Sequence, residues 1–402
     1  MHDLVSRGWC DVVLLEKGVI GSGSSSKSTK LIHGGFKNLK NIRDITFISE
    51  SLRERNNLLR LARDIVHPIE LYIPMLKEGS VPPYMIKAGL VLYDLLAGRG
   101  KIKPHRKVSR EQLEKEIPIL STELFSGGYF FWDAQTDDLA LVRRVAESAV
   151  RLGGKIFERC LAKSVKAIDD GWLVDVERED GTIHTISALY VVNALGSWSN
   201  FFLENNKLKP IYRGINSEGT HVLLNNIDLN KGLLLQDLKD KRFFYVVPWF
   251  DYTIVGTTEK IFREDPEKMA IRSESVNELL SRFNQFFKVK VDDRNVVAAF
   301  SGLRWLKLDD TRDIASTSRS YAVSEHQSSR GLLLTLYGGK LTTYRSLAEK
   351  IGDRITSHFG EWKPSGTLKE ESWVGDITRF ESEKRLLDRF VRGGPAFVRI
   401  EV

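Results

Sequence analysis

A chain of 402 residues, 42% of them hydrophobic, can bury a sizeable core and is long enough for two domains, which excludes a disordered polypeptide. Sixty Lys and Arg against 53 Asp and Glu leave a net charge of +7, which favours an anionic partner such as a phosphorylated metabolite or a membrane surface. The positive charge is spread along the chain without a recognition motif, which argues against nucleic acid. The two cysteines, Cys10 and Cys160, stand in no CxxC or Cys/His spacing, so neither a disulfide framework nor a structural zinc site is indicated and a reducing, cytoplasmic setting is expected. No apolar run approaches the ~18 to 20 residues that a spanning helix needs.

In chain order, residues 12–15 read as a short apolar strand closed by Glu16, the arrangement by which dinucleotide folds hold the ribose hydroxyls. The small-residue loop 21–30 offers backbone N–H groups, hydroxyls and the cations Lys27 and Lys30 to a phosphate or a flavin, with a flexible linker as the alternative. It runs into His33, Gly34 and Gly35, where paired glycines suit close approach of a planar ligand; a lone histidine is more often structural. Apolar residues among charges predict a helix over 42–63 with a buried stripe. The apolar segment 85–96 is followed by Arg99, Lys101, Lys103, Arg106, Lys107 and Arg110, a pattern that suits either an anionic bilayer surface or a buried helix before a solvated loop.

A second helix is predicted over 139–152, capped by Gly153 and Gly154, before a strand around Ile156. Short apolar runs at 172–176, 188–192, 221–224, 243–248 and 252–255 predict strands, so an α/β nucleotide domain interleaved with a second, sheet-based domain is expected. The last unit is a strand over 332–337, then Gly338 and Gly339, then a helix over 341–355 whose N-terminus can stabilise negative charge. GxxxxGK[ST] is absent, which disfavours nucleoside triphosphate chemistry.

Five blocks, SSSKSTKLIHGG at 24–35, VNALGSW at 192–198, GTT at 256–258, SGLR at 301–304 and YGGKLTTYR at 337–345, resemble in order and spacing the signature blocks of FAD-dependent glycerol-3-phosphate dehydrogenases. The resemblance covers residues 3–357 and implies a glutathione-reductase-like FAD-binding domain interleaved with a mixed-sheet α+β substrate domain. The FAD domain would take 1–70, 135–200 and 311–360, the substrate domain 71–134 and 201–310, with 361–402 a remnant of a C-terminal cap. It implies cofactor contacts from Glu16, Lys17, Ser25, Ser26, Ser28, Lys30, Leu31, Ala162, Ala194, Gly196, Trp198, Gly338, Gly339, Leu341 and Thr342.

His33 and His221 fall where the family has active-site histidines, and Lys37, Arg304, Arg319 and Lys340 match its substrate-holding cations. The implied reaction oxidises sn-glycerol 3-phosphate to dihydroxyacetone phosphate, with either histidine as base and Arg304 and Lys340 among the catalytic groups. The implied acceptor is a quinone, with peripheral contact at the inner face of the cytoplasmic membrane; a homodimer is compatible.

The sequence departs from the family at both ends and in two motifs. The strand and Gly-x-Gly-x-x-Gly turn that open family members are absent, and only residues 3–7 match the helix that follows them. Weakened FAD binding is the expected consequence, with a start codon placed too late as the preferred explanation and an inactive truncated relative as the other. The usual Arg-Tyr after the His-Gly-Gly block is Lys37 and Asn38, Ala194-Leu-Gly-Ser-Trp198 replaces Ala-Thr-Gly-Pro-Trp, and the chain stops before the family's cap would end. The competing functions are an amine or hydroxy-acid oxidoreductase of the same superfamily and a non-catalytic flavoprotein-like fragment.

Overall fold

The computed structural model describes residues 1–36, 45–79, 81–308 and 321–373. Its largest element is a ten-stranded mixed sheet. Along it run Lys260–Phe262, Gly214–Asn225, Tyr252–Gly256, Phe243–Trp249, Gly232–Gln236, Val66–Leu76, Phe125–Thr136 and Leu31–Ile32. Val296–Lys307 pairs with Gly214–Asn225, and Arg106–Val108 pairs with Phe125–Thr136.

Both faces of this sheet are covered, which is why its strands read as continuous apolar runs rather than as alternation. Leu223, Leu234 and Tyr245 pack with Ile48 and Leu52 of helix Ile45–Leu61 and with Ile86 and Leu90 of helix Pro83–Ala97. Their chain neighbours Val222, Leu224, Leu233, Leu235 and Val246 point the other way, onto Val276, Leu279 and Phe283 of helix Ser273–Phe286.

The nucleotide side is built from smaller sheets. Val13–Glu16 pairs in parallel with Lys155–Glu158, and Tyr190–Asn193 pairs in parallel with Leu332–Tyr337. An antiparallel meander, Cys160–Ile168, Gly171–Arg178 and Ile183–Ala188, joins them. The expected α/β architecture with an interleaved mixed sheet is therefore observed. The domain limits at 70/71 and 134/135 fall inside the continuous strands Val66–Leu76 and Phe125–Thr136, because each strand carries its pairing without a break at those points.

Helix Asp138–Arg151 opens with the Asp137 carboxylate accepting from the Ala140 N–H at 2.9 Å. It ends as the paired glycines predict: Gly153 has φ +100, and the N–H groups of Gly153 and Gly154 donate to the carbonyls of Val150 and Ala149. Of the 361–402 segment, the described part packs back on the body. Trp373 is buried against Leu58, Leu61 and Leu141 and donates to the Thr367 carbonyl at 2.7 Å. Residues 374–402 lie outside the described residues.

Candidate active site

One cross-strand row lays out the centre of the site. Tyr245 pairs with Gly256, Gly256 with His221, and His221 with Phe300, so these four residues share one face of four adjacent strands. His221 leans across Gly256, where a Cβ would lie 2.3 Å from the imidazole Cδ2, and stacks on Phe300 with ring centroids 5.0 Å apart. Its Nε2 sits 2.9 Å from Thr29 Oγ1 in the cofactor loop. Four residues along the same strands, Arg304, opposite Ser217, leans back across Gly219, where a Cβ would meet Nη2 at 2.2 Å, and donates to Thr257 Oγ1 at 3.1 Å. Glycines at 219 and 256 thus leave the room that the cation and the imidazole occupy.

His33 follows strand Leu31–Ile32, its ring centroid 6.1 Å from that of Tyr245. Thr342 Oγ1 ties both backbone polar groups of His33, accepting from its N–H at 3.2 Å and donating to its carbonyl at 3.3 Å. That hydroxyl belongs to the turn Leu341–Thr343 after Gly338 and Gly339, which are exposed with φ +68 and +95 and lead into helix Tyr344–Phe359. The turn is held by the buried Arg345 guanidinium, bidentate on Glu54 at 2.6 and 2.8 Å. Lys340 lies with Nζ 4.4 Å from the Phe47 ring centroid.

Several side chains of the cofactor loop are bonded within the protein. Lys30 is fully buried, its ammonium 2.7 Å from the equally buried Asp138 carboxylate and 2.9 Å from the Ser26 carbonyl. Ser28 donates its hydroxyl to the same carboxylate at 2.6 Å, and Ser26 turns inward to the Gly23 carbonyl. Asp138 therefore captures two of the groups expected to face a ligand, while Ser22, Ser24 and Ser25 of the loop are exposed. Replacing Lys30 by Met strands a buried carboxylate, and the expected loss is about 3 to 5 kcal/mol of folding stability. Chemical denaturation of the variant measures it, and an unchanged midpoint would refute the clamp.

Lys17 and Ala162 are placed as follows. Lys17 forms an exposed ion pair with Glu267 at 2.7 Å. Leu161 lines a cavity of about 470 Å³ beside Lys17, Gly18, Val19 and Ser22, and Ala162 does not. Strand alternation is the reason, since it turns Ala162 into the apolar cluster around Trp172. Lys37, Asn38 and Arg319 lie outside the described residues.

A flavin dinucleotide fits what is present. Glu16 closes its strand with a half-buried carboxylate already accepting from the Gly18 N–H at 2.7 Å. Ala194 and Gly196 are exposed, and Gly196, with φ +58, has no atom within 4 Å of its Cβ position. The glycine pair at 338–339 opens onto the side that carries His33. Leu31 is buried and pairs with Gln135, and Leu341 and Trp198 are half-buried.

Sequence reasoning missed Tyr245, Thr257 and Asp138, and named Thr29 only as part of the loop. The GTT block signalled Thr257 without a role, whereas Tyr245 enters the site through strand register, which no local pattern reports.

The family model described as FAD dependent oxidoreductase matches residues 1–345. The chain is 32% identical over 372 residues to the aerobic glycerol-3-phosphate dehydrogenase of Escherichia coli, covering 91% of this chain and 72% of that one. It is 30% identical over 374 residues to the D-erythritol 1-phosphate dehydrogenase of Brucella abortus, covering 91% and 74%. Among solved structures, the FAD complex of the Bacillus halodurans glycerol-3-phosphate dehydrogenase superposes with a TM-score of 0.73 at 23% identity; the match covers 92% of this chain and 64% of that one. A match over most of its length to the family model, joined to a site whose exposed glycine turns and strand-end carboxylate suit the cofactor, makes this chain a member of the FAD dependent oxidoreductase family.

Proposed function

We propose that the chain oxidises sn-glycerol 3-phosphate to dihydroxyacetone phosphate and hands the electrons to a membrane quinone. The observation that carries the reading is Arg304 beside Thr257 on the sheet face that bears His221, a guanidinium fork suited to a phosphate next to an imidazole suited to a proton. Bound FAD supplies the hydride acceptor. The chain's own residues do the rest: Arg304 and Lys340 hold the phosphate, and His33 takes the C2 hydroxyl proton.

His33 is preferred as base because it is half-buried at the glycine turn, whereas His221 is only 2% exposed with Nε2 against Thr29. His221 then orients Thr29 and the substrate. The names of the Escherichia coli and Brucella abortus relatives support a polyol phosphate as substrate. The test is anaerobic mixing of FAD-loaded protein with glycerol 3-phosphate, D-erythritol 1-phosphate or glycine. Bleaching of the flavin band by glycerol 3-phosphate at the lowest concentration is expected, and bleaching by glycine alone would defeat the reading.

Contact with an anionic membrane surface has its own support. No helix among the described residues is long and apolar enough to cross a membrane. Helix Pro83–Ala97 instead turns Tyr84, Ala88, Val91 and Leu95 outward along one stripe, with Tyr84 71% and Leu95 70% exposed. Exposed Lys87, Arg99, Lys101, Lys103, Arg106 and Lys107 flank it, which suits a helix lying in the headgroup layer. Leu95→Glu is expected to weaken binding to phosphatidylglycerol vesicles about tenfold or more in co-sedimentation. Binding equal to the parent protein would remove this surface from the account.

A further inference from the structure

We propose that Tyr93 is a positioning residue for the reaction centre, its hydroxyl fixing the Gly34 peptide and with it the adjacent His33 imidazole. The inference rests on the reading of His33 as the base.

The Gly34 N–H donates to Tyr93 Oη at 2.9 Å and, at the longer distance of 3.4 Å, to Asp133 Oδ1, and Tyr93 Oη donates to Asp133 Oδ2 at 2.7 Å. Asp133 Oδ1 accepts from Arg55 Nη1 at 3.0 Å, and Arg55 also donates to the Trp132 carbonyl at 3.1 Å. All three side chains are at most 2% exposed. They come from three elements: helix Ile45–Leu61, helix Pro83–Ala97 and strand Phe125–Thr136. A Cβ on Gly34 would lie 2.5 Å from Tyr93 Oη and 2.6 Å from Leu52, so the peptide is seated directly on the phenol.

The other side of the same backbone is held at His33 by Thr342. His33 is thus clamped between a turn on the cofactor side and a buried charged network on the scaffold side. Burial pushes the Tyr93 phenol well above its ordinary range, so the hydroxyl stays a donor, and Arg55 keeps its charge beside Asp133. A buried polar network of this kind restricts its members to one geometry, and displacement of a reacting group by ~1 Å costs about 100-fold in rate.

The test uses Tyr93→Phe in the full chain. Histidine ring signals are compared by NMR in the protein without flavin, with His221 as internal control, and anaerobic flavin reduction by glycerol 3-phosphate is timed in the loaded protein. The His33 signals are expected to shift or broaden while those of His221 stay in place, and reduction is expected to slow by about 10- to 100-fold at saturating substrate with flavin content retained. Parent-like His33 signals and a parent-like rate in a folded Tyr93→Phe protein would overturn the proposal, as would equal disturbance of both histidines. Should Tyr93→Phe fail to fold, Asp133→Asn, whose amide accepts at only one of the two positions that now take Tyr93 and Arg55, breaks the support of the Tyr93 hydroxyl, and the same two readouts decide. If the parent protein is not reduced by glycerol 3-phosphate, the functional reading fails and the NMR comparison still judges the positioning role.

Discussion

Substituting His33 by Gln is expected to slow flavin reduction by glycerol 3-phosphate by about 10²- to 10⁴-fold, the range supplied by a positioned general base. The glutamine keeps bulk and hydrogen bonding but accepts no proton at neutral pH, so substrate affinity should stay within a few fold. Stability should change little, because Thr342 holds His33 by its backbone, and the substitution leaves both hydrogen bonds intact. His221→Gln is expected to cost less in the reduction step, since its imidazole is packed face to face on Phe300 and its Nε2 faces Thr29. Single-turnover absorbance at the flavin band measures both. A deeper loss in His221→Gln, with His33→Gln within tenfold of the parent, would exchange the two roles.

The second large effect is expected at Arg304. Truncation to Ala should lower kcat/KM for glycerol 3-phosphate by about 10²- to 10³-fold, equivalent to about 2.7 to 4 kcal/mol, because a hydrogen-bonded guanidinium facing a phosphate is lost. Lysine should recover part of the loss by restoring charge without the fork. The effect should appear in KM and leave flavin content unchanged, since Arg304 leans over Gly219 toward Thr257 on the substrate-sheet strands. Steady-state kinetics of both variants, with flavin occupancy measured alongside, provide the check. An Arg304→Ala protein with parent-like KM would take the phosphate away from this residue.

These two residues also differ in how they connect to the rest of the molecule. His33 depends on the pairing of the glycine turn with the cofactor loop, a contact between segments about 300 residues apart that Glu54 and Arg345 hold from behind. Arg304 depends on register alone: a slip of one residue in the long pairing of Val296–Lys307 with Gly214–Asn225 would turn it to the opposite face.

Local periodicity and turn chemistry were enough to read the helices Ile45–Leu61 and Asp138–Arg151, the strand Leu332–Tyr337 and the glycine pair after it, because these features depend on neighbours within about four residues. Ordered motifs carried the family, His33, His221 and Arg304. Tertiary structure alone decided which side chains those motifs still offer. Asp138 lies 108 residues from Lys30 in the chain, yet it binds both that ammonium and the Ser28 hydroxyl. Tyr93 reads in sequence as one more apolar residue of segment 85–96, and only the approach of Asp133, 40 residues on, makes it a hydrogen-bonded support for Gly34. Tyr245 enters the site through cross-strand register. Charge capture and register are non-local: they follow from which strands and helices meet, information spread over the whole chain rather than held in any window of it.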